Sequence, residues 1–535
     1  MSSNRMNPTL QRGQALILVA LAFVGLAAFV GLAVDAGILF TQIGHLRRAA
    51  DAAALAAANQ FREGRVGTDI ESAANEFINL NSLNPATAHV FVCRDFFDPL
   101  TTPVAMHDPT LCPAIGEAPR KYVRVTAMMP VNFAFLPIIG FNSITISANT
   151  ISEAASVDLV LVIDTSASMA FDLCTDGIDN DLAAEIAYNP LYVAGPDEID
   201  DCNGYPTPDN AQVGHYSDAD VAACNINRFA TNPDPVVDAA LRANDCHPFE
   251  EVRAASLALL ARMKFPFDRM SLVTFSQMAT VNINLQVGSN AIAVGNELNA
   301  MEVSQEPAVG VDPCHIDMGD PRGCTSTNTA GALLAAGAQF GYFTRPEAVW
   351  IVILLSDGGA NAALRSGEDP GVTESWICPG ATPGQPEWIQ PLCRDIFGAT
   401  RHSTGDLDYD TDDAARDMAD FVGCPDALSH QPAACHSPGQ GAVIFSIGLG
   451  YLMTDTLACA APYAGACEPD LGEQLMRYVA GAGDDNDPGT IPAHDPCVGA
   501  DTRESCGNYY FSPTGAGLMD VFEAIASRIF TRLTH

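Results

Sequence analysis

The sequence predicts an α/β protein: an N-terminal transmembrane helix with a small α+β stem, followed by a doubly wound, mostly parallel sheet. Three observations predict this class. An uncharged apolar run occupies residues 14–34. Between residues 88 and 153, apolar and polar residues alternate as they do in half-buried strands. From residue 158 onward, wholly apolar runs of strand length alternate with helical patterns, which is typical of a parallel sheet covered on both faces.

Composition limits the classes of function. The chain has 535 residues, of which 48% are hydrophobic and 17% charged, so it suits a globular protein of one large or two unequal domains. The formal net charge is −38 and the only lysines are Lys121 and Lys264. Binding to nucleic acid needs clustered cations, so no nucleic-acid partner is expected. The acidity indicates a solvated surface with a local metal site inside it.

The apolar run at 14–34 is long enough to cross a hydrocarbon layer of about 30 Å. Arg5 and Arg12 precede it, which predicts a cytoplasmic tail at 1–13, a transmembrane helix at 14–40 and an extracytoplasmic remainder. A cleaved signal sequence is the alternative, but its apolar region is usually shorter. We therefore expect a single-pass protein of the cell membrane. Asp35 is expected at the membrane interface, with a buried contact to partner helices as the alternative.

The stem is predicted over residues 41–153. Residues 41–61 are rich in alanine and should continue the first helix, and residues 66–80 should form a second. Strands are predicted at 88–93, 121–135 and 143–155, with a turn between the last two at 138–143. Two helices followed by three strands indicate a small α+β module.

All 16 cysteines follow the apolar run, and many are close pairs in loop-like sequence. In an oxidising compartment this pattern predicts local disulfides. Zinc is the alternative because Cys–His neighbours occur, but the sequence has no CxxC motif. The candidate pairs are Cys314 with Cys324, Cys378 with Cys393, Cys424 with Cys435, Cys459 with Cys467, and Cys497 with Cys506.

Oxygen-bearing side chains follow two of the buried strands. Asp164 ends the strand "DLVLVID" and is followed by Ser166 and Ser168; Asp357 ends the strand "AVWIVILLSD". Neighbouring strand ends would bring the two carboxylates together, and their mutual repulsion is unfavourable unless a cation neutralises it. The segment "STNTAG" supplies Thr327 or Thr329 just before a helix. This all-oxygen set suits a small hard cation such as Mg²⁺.

The N-terminal sequence resembles a known family. "VDAG" at 34–37 and "ADAAA" at 50–54 are similar to the signature of tight-adherence pilus-assembly proteins of the TadE/TadG type. The resemblance covers about the first 60 residues. It implies a TadG-like protein of a Flp pilus system.

The second half resembles the von Willebrand factor A (VWA) domain, a Rossmann-like fold, over residues 156–534. Its metal-ion-dependent adhesion site (MIDAS) has the motif Asp-x-Ser-x-Ser, a threonine before a helix and a second aspartate. The resemblance implies that five residues hold Mg²⁺, or Mn²⁺ or Ca²⁺, and that an acidic residue of a protein ligand completes the coordination. These metal-site residues are Asp164, Ser166, Ser168, Thr327 and Asp357.

Two large, disulfide-rich insertions are predicted within the second half, at about 171–247 and 362–435. Both leave from the expected metal face, so they are expected to form a cap that shapes or blocks the site. In the first, "CTDGIDND" is similar to calcium loops of extracellular repeat proteins, although a plain Asp/Asn turn is slightly favoured. The residues of this possible structural Ca²⁺ site are Asp176, Asp179, Asn180 and Asp181.

Together these features predict a membrane-anchored adhesion or pilus-assembly protein rather than an enzyme. A serine hydrolase would need a Gly-x-Ser-x-Gly elbow, which is not evident at the predicted strand ends. The expected partners are an acidic residue of a protein ligand or pilus component and the membrane, with no small-molecule cofactor. The alternatives are a metal-dependent cell-surface hydrolase and a surface receptor or matrix-binding protein unrelated to pili.

Overall fold

The computed structural model describes residues 8–62, 67–81, 87–97, 100, 102–114, 117–166, 169, 248–276, 278–304, 327–345, 347–360, 363–364, 375–376, 411–424, 439–450, 453, 471–482, 497, 499–501 and 503–532. The chain divides into two compact units, residues 1–155 and 156–535. The helices are α1 (Pro8–Arg62), α2 (Gly67–Leu80), α3 (Phe249–Arg262), α4 (Ala291–Ala300), α5 (Thr329–Tyr342), α6 (Thr411–Gly423), α7 (Leu471–Ala482) and α8 (Leu518–Arg532). The strands are β1 (Thr87–Val92), β2 (Lys121–Asn132), β3 (Ser143–Ala154), β4 (Ser156–Asp164), β5 (Arg269–Phe275), β6 (Ala279–Ile283), β7 (Ala348–Ser356), β8 (Ala363–Leu364), β9 (Ser375–Trp376), β10 (Val443–Leu449) and β11 (Tyr509–Ser512).

Helix α1 is continuous over 55 residues. Alanine and leucine dominate it, and its only proline is at the first position, where the missing N–H costs nothing. Residues 16–30 are exposed all round the helix, and burial begins at Gly31. In the described part of the chain, α1 is the one helix long and apolar enough to cross a membrane.

In the first unit, α1 and α2 pack on a three-stranded antiparallel sheet of order β1-β2-β3. The alternation predicted for β2 is observed: its inward side chains, such as Val123 and Val125, are buried and the residues between them are not. Most of the contact face of α1 consists of small side chains, which allow close approach to the sheet, with Leu46 and Phe61 as large buried exceptions. The buried alanines of α1 are Ala49, Ala50, Ala53, Ala54, Ala56, Ala57 and Ala58.

The side chain of Asp35 is covered by another part of the first unit. Its side chain is 1% exposed. One oxygen accepts hydrogen bonds from the backbone N–H groups of Ala134 at 2.6 Å and Phe135 at 3.2 Å, and the other from Phe135 at 3.0 Å and Leu136 at 2.7 Å. The carboxylate thus makes a buried polar contact, as the alternative expectation allowed, and its partner is the turn between β2 and β3, which folds back onto α1.

The second unit contains a six-stranded sheet of order β11-β10-β7-β4-β5-β6. Every pairing is parallel except that of β5 with the edge strand β6. Helices α3, α4 and α8 share a buried core with one face of the sheet. Helices α5, α6 and α7 share a second core with the opposite face. The predicted doubly wound, mostly parallel α/β class is confirmed.

Helix α6 lies within the segment expected to be the second insertion. Ala415, Ala419 and Val422 are fully buried in the same core as α5 and α7. Residues 411–423 therefore belong to a helical layer of the sheet. The first insertion, residues 171–247, lies outside the described residues, and the rest of the second is described only at 363–364, 375–376 and Cys424.

Disulfides are present in both units. The predicted bond between Cys497 and Cys506 is confirmed. A bond between Cys93 and Cys112, which was not predicted, closes a loop in the first unit. Cys424 is also disulfide-bonded, and its predicted partner Cys435 lies outside the described residues. The other predicted pairs lie outside them as well.

Candidate metal centre

The candidate site lies at the carboxyl edge of the sheet, between β4 and β7. The chain passes from β4 to β5 on one side, and the later strands β7, β10 and β11 lie on the other side of β4. The order of strands therefore reverses between β4 and β7. In open α/β sheets, ligands bind outside the carboxyl ends of the strands at such a reversal.

Asp164 is the last residue of β4 and is completely buried. Its Oδ1 accepts a hydrogen bond of 2.8 Å from the backbone N–H of Ser166. Its Oδ2 accepts one of 2.6 Å from the hydroxyl of Ser356, the last residue of β7. The carboxylate is thus held from both flanking segments, and its orientation is fixed.

Burial raises the pKa of Asp164 to about 6, and hydrogen bonds from Ser356 and Ser166 partly oppose this rise. In the described part of the chain, no cationic side chain lowers that pKa. The negative charge of Asp164 is therefore stabilised by dipoles alone. A bound cation would therefore stabilise the charged form of this carboxylate further.

Asp357 follows Ser356 directly and is also completely buried. Because Ile163 pairs with Leu355 in register, Asp357 is one residue beyond the level of Asp164 on the neighbouring strand. Gly358 follows, and a Cβ atom added to it would meet open space. The fold thus brings together the two aspartates that the sequence analysis selected.

The loop after β4 is fastened to its surroundings by Thr165. Its backbone N–H and its hydroxyl both donate to the carbonyl of Phe275, at 2.7 and 3.0 Å. Its carbonyl accepts from the N–H of Ser304 at 2.7 Å. Ser166, the next residue, is completely buried. The predicted ligand Ser168 lies outside the described residues.

Thr327 is 4% exposed and lies just before α5. The next residue, Asn328, donates its N–H to the carbonyl of Ser276 after β5, at 2.8 Å. The side chain of Asn328 caps α5 by accepting from the N–H of Gly331 at 2.7 Å. These contacts bring the Thr327 segment to the carboxyl end of β5. Thr329, the alternative donor, is the first residue of α5 and is 2% exposed.

The opposite edge of the sheet shows how this fold neutralises a buried acid permanently. Asp158, near the start of β4, accepts two hydrogen bonds from Arg269, at 2.8 and 2.5 Å, and one from Arg345 at 2.5 Å. Two guanidinium groups therefore surround one carboxylate. Asp164, six residues along the same strand, has hydroxyl and amide donors instead.

Ser356 was not among the predicted site residues. The signal was present, because the serine directly precedes Asp357 at the end of a buried strand. Its role depends on the pairing of β7 with β4, which a single sequence does not reveal. The residues of the possible calcium site, Asp176, Asp179, Asn180 and Asp181, lie outside the described part of the chain.

The donor set fits a divalent cation. Two buried carboxylates, Asp164 and Asp357, come from adjacent strands, and two buried hydroxyl side chains, Ser166 and Thr327, come from the loops beside them. Oxygen donors with a total charge near −2 are what Mg²⁺, Mn²⁺ and Ca²⁺ prefer in proteins. Thiol and imidazole groups, which favour zinc, do not occur among these four residues.

Comparison with protein families agrees with the N-terminal resemblance. Residues 13–60 match the model of Flp pilus-assembly TadE/G-like proteins. The chain therefore carries a TadE/G-like segment, which coincides with most of α1. No curated protein matches the chain.

Comparison with solved structures gives distant similarities. Proximal thread matrix protein 1 of the mussel byssus, with a zinc-occupied MIDAS motif, is 9% identical over 70% of this chain and 48% of its own, with a TM-score of 0.28. The pilus adhesin SpaC from Lactobacillus rhamnosus GG is 11% identical over 77% of this chain and 33% of its own, with a TM-score of 0.32. The von Willebrand factor domain of the type V pili tip protein Mfa5 from Porphyromonas gingivalis is 12% identical over 71% of this chain and 97% of its own, with a TM-score of 0.30. The chain thus spans half or less of the first two proteins.

Proposed function

We propose that this protein is a membrane-anchored, extracytoplasmic component of a tight-adherence pilus system that binds a protein ligand through a divalent ion. The TadE/G-like segment at 13–60 supports the association with pilus assembly. The long apolar helix α1 supports the membrane anchor. Arg5 and Arg12 before the apolar run favour a cytoplasmic N-terminus and a single crossing.

The ion is held, in this proposal, by a MIDAS-like set consisting of Asp164, Ser166, Ser168, Thr327 and Asp357. The observation that carries it is Asp164: a fully buried carboxylate at the strand reversal, next to the buried Asp357, stabilised by a hydroxyl and an amide. A divalent ion bound there would offer a coordination position to a carboxylate oxygen of a partner protein. A Glu or Asp of the ligand would therefore be the recognised group.

The role proposed for these residues is binding rather than catalysis. In the described part of the chain, the side chains that hydrogen-bond to Asp164 are those of Ser356 and Ser166, which carry hydroxyl groups. These hydroxyls orient the carboxylate, which is what ion binding requires. Mg²⁺ is the proposed ion, because a small hard cation suits two carboxylates and hydroxyls with some water retained.

The test measures ion binding and adhesion together. Purified full-length protein in detergent or lipid discs should bind Mg²⁺ or Mn²⁺ in calorimetric titrations, and Asp164→Ala or Asp357→Ala should abolish this binding. Cells carrying the same variants should lose metal-dependent adhesion. Asp520→Ala is the matched control, because Asp520 is an exposed aspartate of the same unit on α8.

Two results would contradict the proposal. The first is unchanged ion binding in both aspartate variants when the control also binds normally. The second is ion-dependent hydrolysis of peptide, phosphate or ester substrates that disappears with Asp164→Ala, since that outcome favours the surface hydrolase.

A further inference from the structure

The turn between β2 and β3 presents an unusual surface. Residues 133–142, "FAFLPIIGFN", are here called the hairpin tip, and none of them is charged. Large apolar side chains of the tip are exposed: Phe135 is 46% exposed, Ile138 83%, Ile139 69% and Phe141 64%. Soluble surfaces rarely concentrate so many exposed apolar groups in one short turn.

The backbone of the hairpin tip is suited to an apolar medium. Gly140 adopts a left-handed conformation, with φ +96°, which lets the turn close on itself. Pro137 has no N–H, and at least seven of the nine other backbone N–H groups of the tip donate to protein acceptors. The donors are Phe133, Ala134, Phe135, Leu136, Ile138, Gly140 and Phe141. Satisfied amides are the condition for placing a turn where water is scarce.

The level of the tip along α1 is fixed by two contacts. Asp35 accepts hydrogen bonds from the N–H groups of Ala134, Phe135 and Leu136. A side chain on Gly31 would meet Phe135 at 3.0 Å, so the ring of Phe135 packs directly on the helix there. Gly31 belongs to the apolar run at 14–34 and lies about 6 Å before Asp35 along the helix axis. The tip is therefore level with the end of the apolar run.

A third contact shows that α1 and β3 run side by side. The hydroxyl of Thr150 donates to Asp51 at 2.8 Å. From Asp35 to Asp51 the helix rises about 24 Å, and from Ser143 to Thr150 the strand rises about 23 Å. The two rises agree, so the sheet extends away from the tip along α1. The tip is the end of the sheet nearest the apolar run.

We propose that the hairpin tip inserts into the bilayer beside α1, so that Ile138, Ile139 and Phe141 contact acyl chains of the outer leaflet. The proposal rests on the membrane anchoring proposed above. Its ligand is the lipid of the membrane that α1 crosses, because the tip is continuous with the exposed apolar surface of the helix at Val30, Leu32 and Val34. An apolar turn held at this level buries its side chains at the boundary of headgroups and acyl chains.

The experiment uses the full-length protein in lipid discs and a tryptophan placed at the tip, Ile138→Trp. Discs are prepared from phosphatidylcholine with and without bromine near the start of the acyl chains, since bromine quenches tryptophan on contact. The matched control is Val104→Trp. Val104 is apolar and 71% exposed. It lies three residues before His107, which forms a β-bridge with Val92. Val92 pairs with Val123, which lies at the end of β2 away from the tip. That position is about 30 Å from the tip along the strand.

Emission of the Ile138→Trp protein, after subtraction of the signal of the unsubstituted protein, should fall roughly twofold or more in brominated discs. Emission of Val104→Trp should stay unchanged. A third protein, Phe23→Trp, reports on α1 itself. If Phe23→Trp is quenched and Ile138→Trp behaves like Val104→Trp, the tip is outside the lipid and the inference is wrong while the anchor stands. That outcome includes shielding of the tip by a second copy or a pilus component. If Phe23→Trp is not quenched, the proposed anchor fails and this inference fails with it.

Discussion

Two aspartates on the same strand, Asp158 and Asp164, are both completely buried but are stabilised in different ways. Asp158 is surrounded by the guanidinium groups of Arg269 and Arg345. Asp164 accepts hydrogen bonds from the hydroxyl of Ser356 and the backbone N–H of Ser166. The ion pairs of Asp158 with these two arginines stabilise the fold at the start of β4. At the other end, no cationic side chain among the described residues pairs with Asp164, which is where the proposed ion would bind.

The pKa of Asp164 predicts how the metal-free protein responds to pH. Between the ordinary value of 3.8 and about 6, the folded protein holds a proton on Asp164 that the unfolded chain has released. Raising the pH through this window removes that proton, so the free energy of unfolding should fall, by at most about 3 kcal/mol above pH 6. Urea unfolding in the presence of a chelator, at several pH values, measures this change in the free energy of unfolding.

The control for this experiment is Asp164→Asn, which has the same size and no titration. Its free energy of unfolding should lack the fall attributed to Asp164. Saturating Mg²⁺ should restore the stability of the unsubstituted protein at high pH, since the ion binds the charged carboxylate. Parallel pH profiles for the two metal-free proteins would contradict the prediction.

Ser356 should affect ion binding without contacting the ion. Ser356→Ala removes the hydroxyl that holds Oδ2 of Asp164, and loss of such a supporting group costs metal sites about 10- to 100-fold in affinity. Calorimetric titration with Mn²⁺ measures the change. Ser446→Ala is the control, because Ser446 is also a buried strand serine but donates to the carbonyl of Met476. Equal affinities of the two variants would show that Ser356 does not position the carboxylate.

Asp158→Ala should destabilise the second unit strongly. It leaves the largely buried Arg269 and Arg345 without their carboxylate, and breaking a buried pair in this way costs about 3–5 kcal/mol. Denaturant unfolding measures the loss. Glu523→Ala removes only an exposed partner of Arg262 and should cost less than about 1 kcal/mol. A loss for Asp158→Ala no larger than that of the control would refute the structural role.

At the scale of elements, α1 and the β2–β3 turn are joined by Asp35. Asp35→Asn keeps the size but removes the charge that accepts from the amides of Ala134, Phe135 and Leu136, so the first unit should lose about 2 kcal/mol. Hydrogen exchange of those amides should become faster. The matched change Asp51→Asn touches one exposed hydrogen bond and should cost under about 1 kcal/mol. Unchanged exchange at 134–136 in Asp35→Asn would contradict this account.

Most elements were predictable because their patterns are local. The apolar runs within β4 and β7, the alternation of β2 and the alanine-rich end of α1 can each be recognised within a short stretch of sequence. Three core elements have only weak local patterns. Helix α4 has ten residues and α7 contains two glycines, which weakens a helical pattern, and β11 has only four residues. Their position is set by packing on the sheet.

In the candidate site, too, some residues have local sequence signals and others depend on tertiary contacts. Asp164, Ser166, Thr327 and Asp357 could be selected because each follows or precedes a recognisable element, and the order of strands brings their segments to one edge. The role of Ser356 and the partner of Asp35 were missed, because these contacts join residues that are 192 and about 100 positions apart in the sequence. Such contacts depend on tertiary pairing, for which one sequence holds no direct signal.

At the scale of the whole molecule, each unit has its own core and at least one disulfide of its own. Removing the bond of the first unit with Cys93→Ala and Cys112→Ala opens a loop with a sequence separation of 19, which should cost about 3 kcal/mol. In calorimetry of the full-length protein, this variant should lower the melting transition of the first unit, and Asp158→Ala that of the second. A joint shift of all transitions in either variant would contradict separate folding.

The unbroken course of α1 has a mechanical consequence. From Pro8 to Arg62 the helix contains no internal proline, and its second half is clamped to the sheet along a line of buried alanines. A pull on that sheet would therefore load a stiff rod instead of stretching a flexible tether. In the orientation proposed above, tension applied to the sheet would therefore be carried directly by the membrane-spanning part of the same helix.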